Sequence, residues 1–200
     1  MTFQVVSLFP TPVYKATIPL TDAEIAYAKQ ADISYDNKLG NFYSEDVDIL
    51  DLEVYSGLKS DIMQHVKRYA QEVLKIDQEL YICLSWFTRN PPGSQMHRHF
   101  HRNSFLSGTL YITEASPIKF WSKQTPIFNQ FFDITAKEYN VFNSSSWTLP
   151  VEKNDLLIWP SYFEHSVEPN EMNEDRISLA FNVFIKDSVG EKDNLTFLQL

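Results

Sequence analysis

A chain of 200 residues with a net charge of −9 lacks the basic stripe that phosphate neutralisation demands, which excludes nucleic acid as a partner and argues against docking on anionic membranes. Its composition is globular, 44% hydrophobic with 15 Phe, 10 Tyr and 4 Trp against 5 Gly and 10 Pro, so a disordered or collagen-like chain is excluded too. The single cysteine, Cys83, forbids an internal disulfide; with no basic, apolar leader and no run approaching the ~18 apolar residues of a membrane span, the expectation is a cytoplasmic protein.

The length fits one domain, able to bury roughly 70% of its unfolded surface. Phe3 to Leu8 and Val13 to Ile18 read as two short strands around a Pro-bounded turn. Thr21-Asp22-Ala23-Glu24 is a capping box, because the Thr hydroxyl can accept from a free backbone N–H while Glu24 reaches back; a helix should follow to about Ala31. Tyr35 to Glu53 is acidic, lacks the glycine that a calcium-binding loop requires, and reads as a solvated loop. Leu58, Ile62, Val66, Tyr69 and Val73 recur at spacings of three and four, the stripe of a helix packed on one side, with His65 near its edge as a surface residue.

From Leu80 the pattern turns to strands: Tyr81 to Thr88, Phe105 to Thr113, Ile118 to Trp121, Trp147 to Val151, Leu156 to Trp159 and Arg176 to Ile185. Turn signals at Asn90-Pro91-Pro92-Gly93, Asn154-Asp155 and Pro169-Asn170 separate them. Two helices followed by many strands predict helices packed against an antiparallel sandwich. Ser122 to Trp147, with Phe128, Phe131, Phe132, Tyr139 and Phe142, reads either as a lid over a substrate or as a decorated connection with its own small cluster.

Three of the five histidines, His97, His99 and His101, alternate within five residues; side chains two apart on a strand share a face, so all three can look into one cavity. His165 follows the apolar strand Leu156-Leu157-Ile158-Trp159. A pair at strand spacing plus a distant third is how a jelly roll holds a metal from neighbouring strands; imidazole suits iron, zinc, copper or nickel, and three ligands on one side leave positions open for chemistry. The competing reading is a solvated strand face. Arg176 opens a run in which Ile177, Leu179, Phe181 and Val183 alternate with Arg176, Ser178, Ala180 and Asn182. If the second set faces the interior, the planar fork of Arg176 is suited to a carboxylate, with Ser178 as a further donor.

These residues together resemble the 2-oxoglutarate- and Fe(II)-dependent oxygenase superfamily. More narrowly, they are similar to a group within it that has His-x-His-x-Asn-Ser followed by Ser-Gly and Tyr. Here the blocks are His99-Phe100-His101-Arg102-Asn103-Ser104 with Ser107-Gly108 and Tyr111, then Asn154 to Ser161 leading to His165-Ser166-Val167, then Arg176 to Asn182. The resemblance covers about Leu80 to Lys186, and the opening Leu8 to Val13 fits the group as well.

The resemblance implies a mainly β (α+β) fold. A double-stranded β-helix, or jelly roll, would span 80–187, with residues 1–79 as support, two N-terminal helices on one sheet, and a tail at 188–200. It implies that His99, His101 and His165 ligate Fe(II), that Arg176 binds the distal carboxylate of the co-substrate 2-oxoglutarate with Ser178, and that Tyr111 adds a hydroxyl there. The implied reaction hydroxylates a small-molecule or peptide substrate with O2, releasing succinate and CO2. Two positions depart from the pattern. Most of the superfamily carries Asp or Glu where His101 stands, and Asn154 replaces a frequent Gly, at little cost because Asn tolerates a left-handed turn. Whether His97 or His101 completes the pair with His99 stays open, Asn103-Ser104 favouring His101. Alternative functions are a cupin-like metalloenzyme that does not use 2-oxoglutarate, with Arg176 structural, and a non-enzymatic jelly-roll binding module. Sheet edges and exposed aromatics make a homodimer possible.

Overall fold

The computed structural model describes residues 2–36, 41–114, 116–123, 132 and 134–200. In chain order the elements are β1 (Tyr14–Thr17), α1 (Asp22–Gln30), β2 (Tyr35–Asp36), β3 (Phe42–Tyr43), α2 (Ser56–Arg68), β4 (Leu80–Asn90), β5 (Met96–His99), β6 (Leu106–Tyr111), β7 (Ile118–Trp121), β8 (Ser146–Leu149), β9 (Asp155–Pro160), β10 (His165–Val167), β11 (Arg176–Ile185), β12 (Ser188–Val189) and β13 (Leu198–Gln199). A seven-stranded sheet runs β1-β9-β6-β11-β4-β3-β2, and a four-stranded sheet runs β5-β10-β7-β8; every pairing in both is antiparallel. This is the jelly roll that the resemblance implies.

The period of two along the central strands sorts the core into layers. Leu106, Leu110, Leu156, Ile158, Leu179, Phe181 and Val183 face outward onto the helices, where they join Leu58, Ile62 and Val66 in the larger apolar cluster. Their neighbours Tyr111, Leu157 and Trp159 point the other way and pack with Ile118 and Phe120 of the small sheet. The two helices therefore cover the outer face of the large sheet, as expected, and the inner face closes on the small sheet.

The local signals in the sequence explain most element ends. Thr21 Oγ1 accepts from the Glu24 N–H at 3.3 Å and Glu24 Oε2 accepts from the Thr21 N–H at 2.7 Å, closing the capping box of α1. Asn154 (φ 72°) and Asn103 (φ 53°) take the left-handed conformation that Asn tolerates. Gly93 does so at φ 76° in the turn between β4 and β5.

Four expectations are corrected. Phe3 to Leu8 forms no strand: no neighbouring strand offers it a partner, the flanking Pro10 and Pro12 lack the N–H for a ladder, and its apolar side chains are exposed. The stripe of α2 ends before Val73, which is 45% exposed, because the helix widens into a π-helical turn over Tyr69–Leu74. Such a turn takes more residues per revolution, so Ala70 rotates into the core beside Tyr69 and Val73 rotates out. The acidic segment before α2 is built, not merely solvated. Ser44 and Ser85 tie it to β4 through Phe87 N–H to Ser44 Oγ at 3.0 Å and Leu50 N–H to Ser85 Oγ at 2.8 Å. His65 is no bare surface residue, since its Nδ1 lies 2.7 Å from the Tyr14 hydroxyl and links α2 to β1.

In the connection between β7 and β8, Phe128 and Phe131 lie outside the described residues, while Phe132, Tyr139 and Phe142 are exposed and form no buried cluster. Among the described residues, no helix is long and apolar enough to cross a membrane.

Candidate metal and carboxylate site

The inner face of the large sheet is where polar residues gather. On β11, Arg176, Ser178, Ala180 and Asn182 alternate with the core residues and look inward. Cross-strand register sets Arg176 beside Asn90 of β4, Ser178 between Thr88 and Tyr111, and Asn182 beside Ser107 of β6. The small sheet supplies the opposite wall and pairs His165 of β10 with His99 of β5.

Three histidines converge there. His99, His101 and His165 each offer one ring nitrogen, all within 4.8 Å of one another. The His99 and His165 ring centres are 4.3 Å apart, and His101 lies 5.3 Å from the first and 5.2 Å from the second. Each Nδ1 faces an oxygen: the His97 carbonyl for His99 (2.8 Å), Asn182 Oδ1 for His101 (2.6 Å) and the Phe163 carbonyl for His165 (3.1 Å). Each of those oxygens only accepts, so Nδ1 must carry the proton and Nε2 is left with its lone pair. Burial, the leading cause for all three, depresses their pKa values: His99 to about 4, His101 downward, and His165, with His99 and His101 as neighbours, well below the ordinary value. All three are therefore neutral donors at neutral pH, which is the state a divalent transition metal requires.

His97 is not in the group. It is exposed, and the reason is a register break. Val167 pairs with Met96 while His165 pairs with His99, so β5 spends one more residue than β10 over that stretch. This is a β-bulge; it turns His97 out of phase with His99. The expectation that all three neighbouring histidines share one cavity is corrected on this point. His101 lies beyond the end of β5, held by its N–H to the Ser161 carbonyl at 3.1 Å.

Behind His101 runs a chain of small polar groups that sequence reading did not single out. Asn182 Oδ1 also accepts from Ser107 Oγ at 3.2 Å; Ser107 and Ser161 share a hydrogen bond of 2.8 Å, and Ser161 donates to Ser104 Oγ at 2.8 Å. The usable signal was the phase of Asn182, four residues on from Ser178 on the same inward face.

The other end of the inner face is cationic and, among the described residues, lacks a counter-charge. Arg176 is 2% exposed, and its Nη2 donates to Asn90 Oδ1 at 2.6 Å, while among the described residues Nε and Nη1 have no partner. It lines a narrow cavity of about 70 Å³ together with Ser178, Tyr111, Asn90 and the three histidines, and none of the residues lining it is Asp or Glu. Burial lowers the pKa of Arg176 and raises that of Tyr111, whose hydroxyl is near enough for the guanidinium to oppose the rise. A buried, unpaired guanidinium is costly unless an anion arrives to meet it. Thus Arg176, Ser178 and Tyr111 line one cavity with the histidines. His99 and His101 also border a second, open chamber of about 600 Å³ with Trp86, Tyr43, Phe100 and Arg102 on its walls.

Comparison with known proteins finds one family model and solved structures of the same fold. The model of the family described as "Putative 2OG-Fe(II) oxygenase" matches residues 84–182, a stretch that includes His99, His101, His165, Tyr111, Arg176, Ser178 and Asn182. No curated protein matches the chain in sequence. Among solved structures, the chain is similar to HygX from Streptomyces hygroscopicus with nickel and 2-oxoglutarate bound (TM-score 0.60, 11% identity, covering 86% of this chain and 82% of that one). It is also similar to the non-heme alpha ketoglutarate dependent epimerase SnoN from nogalamycin biosynthesis (TM-score 0.62, 12% identity, 89% and 80%). A third is a Pseudomonas putida prolyl-4-hydroxylase (TM-score 0.56, 15% identity, 86% and 92%).

Proposed function

Because this chain belongs to the 2-oxoglutarate- and Fe(II)-dependent oxygenase superfamily, we propose that it is a 2-oxoglutarate-dependent hydroxylase in which His99, His101 and His165 hold Fe(II) while Arg176, with Ser178 and Tyr111, receives the distal carboxylate of 2-oxoglutarate. The observation that carries this reading is the buried guanidinium with two unpartnered nitrogens, Nε and Nη1, in the cavity that the histidines border. A metalloenzyme without a carboxylate co-substrate has no use for that arrangement, and a binding module has no use for three neutral imidazoles with free Nε2 atoms.

The donor set fits the proposed iron: three imidazoles already carry their protons on Nδ1 and need not lose one to bind. When bound, iron together with the 2-oxo acid and O2 supplies oxidation of a substrate C–H bond to C–OH, and the co-substrate leaves as succinate and CO2. The protein's own residues do the positioning. Asn182 fixes the ring of His101; the carbonyls of His97 and Phe163 fix the other two. Arg176 sets the far end of the co-substrate, and Trp159, packed 4.8 Å from the His165 ring, keeps that side of the site dry. The open chamber bordered by Trp86, Tyr43 and Phe100 is the approach for a small-molecule or peptide substrate.

The test is an anaerobic titration with Fe(II) and 2-oxoglutarate, watching for the weak visible charge-transfer band of the iron–keto acid complex. The band should need both components and fade in Arg176→Ala, and His165→Ala should abolish iron binding. Iron binding with no band at any 2-oxoglutarate concentration would overturn the co-substrate, and no metal binding at all would overturn the enzyme reading.

A further inference from the structure

Arg176 is not the only buried group in the inner cavity without a partner. Asn90, the last residue of β4, is 0% exposed. Its carbonyl accepts from Asn170 Nδ2 at 2.9 Å, and its Oδ1 accepts from Arg176 Nη2 at 2.6 Å. Among the described residues its Nδ2 has no acceptor. In most proteins the two ends of an Asn amide are interchangeable on geometric grounds. Here they are not, because a guanidinium is a donor only. Were the amide turned over, Nδ2 would meet Nη2 donor against donor. Arg176 therefore forces Asn90 to hold its NH2 group away from the guanidinium. Leaving a buried NH2 without an acceptor forfeits its hydration with nothing in return, so the position makes sense only if an acceptor arrives.

Asn90 lines the same narrow cavity as Arg176, Ser178 and Tyr111, and no acidic side chain lines it. We infer that Asn90 is a binding residue for the co-substrate: its Nδ2 donates to the distal carboxylate beside the Arg176 guanidinium, so the clamp is a guanidinium–amide pair. This rests on the 2-oxoglutarate reading above and adds a residue to it. The pair also accounts for selectivity. Two donors fixed to each other by a 2.6 Å hydrogen bond present one rigid edge, which fits a 2-oxo acid with a second carboxylate at the far end and does nothing for a 2-oxo monocarboxylate.

The experiment titrates the Fe(II)-loaded protein anaerobically with 2-oxoglutarate and, separately, with 2-oxobutyrate, which lacks the distal carboxylate. Asn90→Ala should weaken 2-oxoglutarate by about 10- to 100-fold, the worth of a hydrogen bond to a charged group, and leave 2-oxobutyrate unchanged. Asn90→Asp, close in shape and still able to accept from Nη2, should abolish 2-oxoglutarate binding, because it sets an anionic oxygen where the donor stood. It keeps the test open if the Ala variant does not fold. Side-chain amide NMR of the Zn(II)-loaded protein separates donation from mere orientation of Arg176: the Asn90 NH2 signal, identified by its loss in Asn90→Asp, should move on adding 2-oxoglutarate and stay put with 2-oxobutyrate. An Asn90 signal unmoved by 2-oxoglutarate, or a variant that binds it as the wild type does, overturns the role of Asn90 alone. A wild-type protein that takes no 2-oxoglutarate overturns the functional reading beneath it.

Discussion

The two faces of β11 are made from one ten-residue strand and do opposite work. Outward, Ile177, Leu179, Phe181 and Val183 are buried in the cluster shared with the helices. Inward, Arg176, Ser178 and Asn182 are just as buried, yet they are polar, and the guanidinium of Arg176 keeps two nitrogens without partners among the described residues. One face follows the rule that buried groups are apolar or satisfied; the other breaks it at one end. The difference teaches where stability is made and where it is given up for binding.

The sharpest way to break this comparison is on the apolar face. Phe181 is fully buried, and its ring lies so close to Gly108 that a Cβ there would sit 2.2 Å from it. Phe181→Ala should cost about 3–5 kcal/mol in chemical denaturation. An equal loss of stability from Ser178→Ala would erase the distinction between the faces.

That same strand was the most legible part of the sequence. Its alternation is unbroken for eight residues, so both the sheet and the side facing the cavity could be read from it. The cavity's other parts were less legible, for physical reasons. The bulge that turns His97 away leaves no mark in composition, because it is decided by how β5 registers against β10. Asn90 reads as the first residue of a Pro-Pro-Gly turn; only the register that sets it beside Arg176 makes it a buried donor. Asn182 was visible as an inward residue, but its tie to His101 depends on a bend after β5 that no local pattern predicts.

Asn182 gives the next prediction. Its Oδ1 fixes which nitrogen of His101 keeps the proton. Asn182→Leu preserves size but removes the acceptor, freeing the ring to rotate or change tautomer. Iron affinity should fall by about 10- to 100-fold, measured by competition with a chelator, while the fold persists. If affinity holds, the tautomer is set elsewhere.

On the inward face, Arg176→Met should do what no outward substitution can, and stabilise the ligand-free protein. It removes a buried charge without a counter-ion and fills the space with an apolar chain of similar length. The gain is limited because Asn90 Oδ1 loses its donor. A net rise of about 1–2 kcal/mol is expected, or a few degrees in Tm. A Tm that falls would mean the guanidinium already has what it needs without a ligand.

The smallest effect belongs to His97, and it is informative because of its neighbourhood. The His97 ring lies 5.4 Å from that of His99, and its proximity contributes weakly to depressing the His99 pKa. What holds His99 in place is the His97 carbonyl, which any residue supplies. His97→Ala should therefore leave iron affinity within about twofold of wild type, as expected for a surface change that spares every named interaction. A collapse of affinity would show that the bulge rearranges when metal binds and brings His97 inward, which would make the pair His97 and His99 the working one and leave the tie between His101 and Asn182 a purely structural bond.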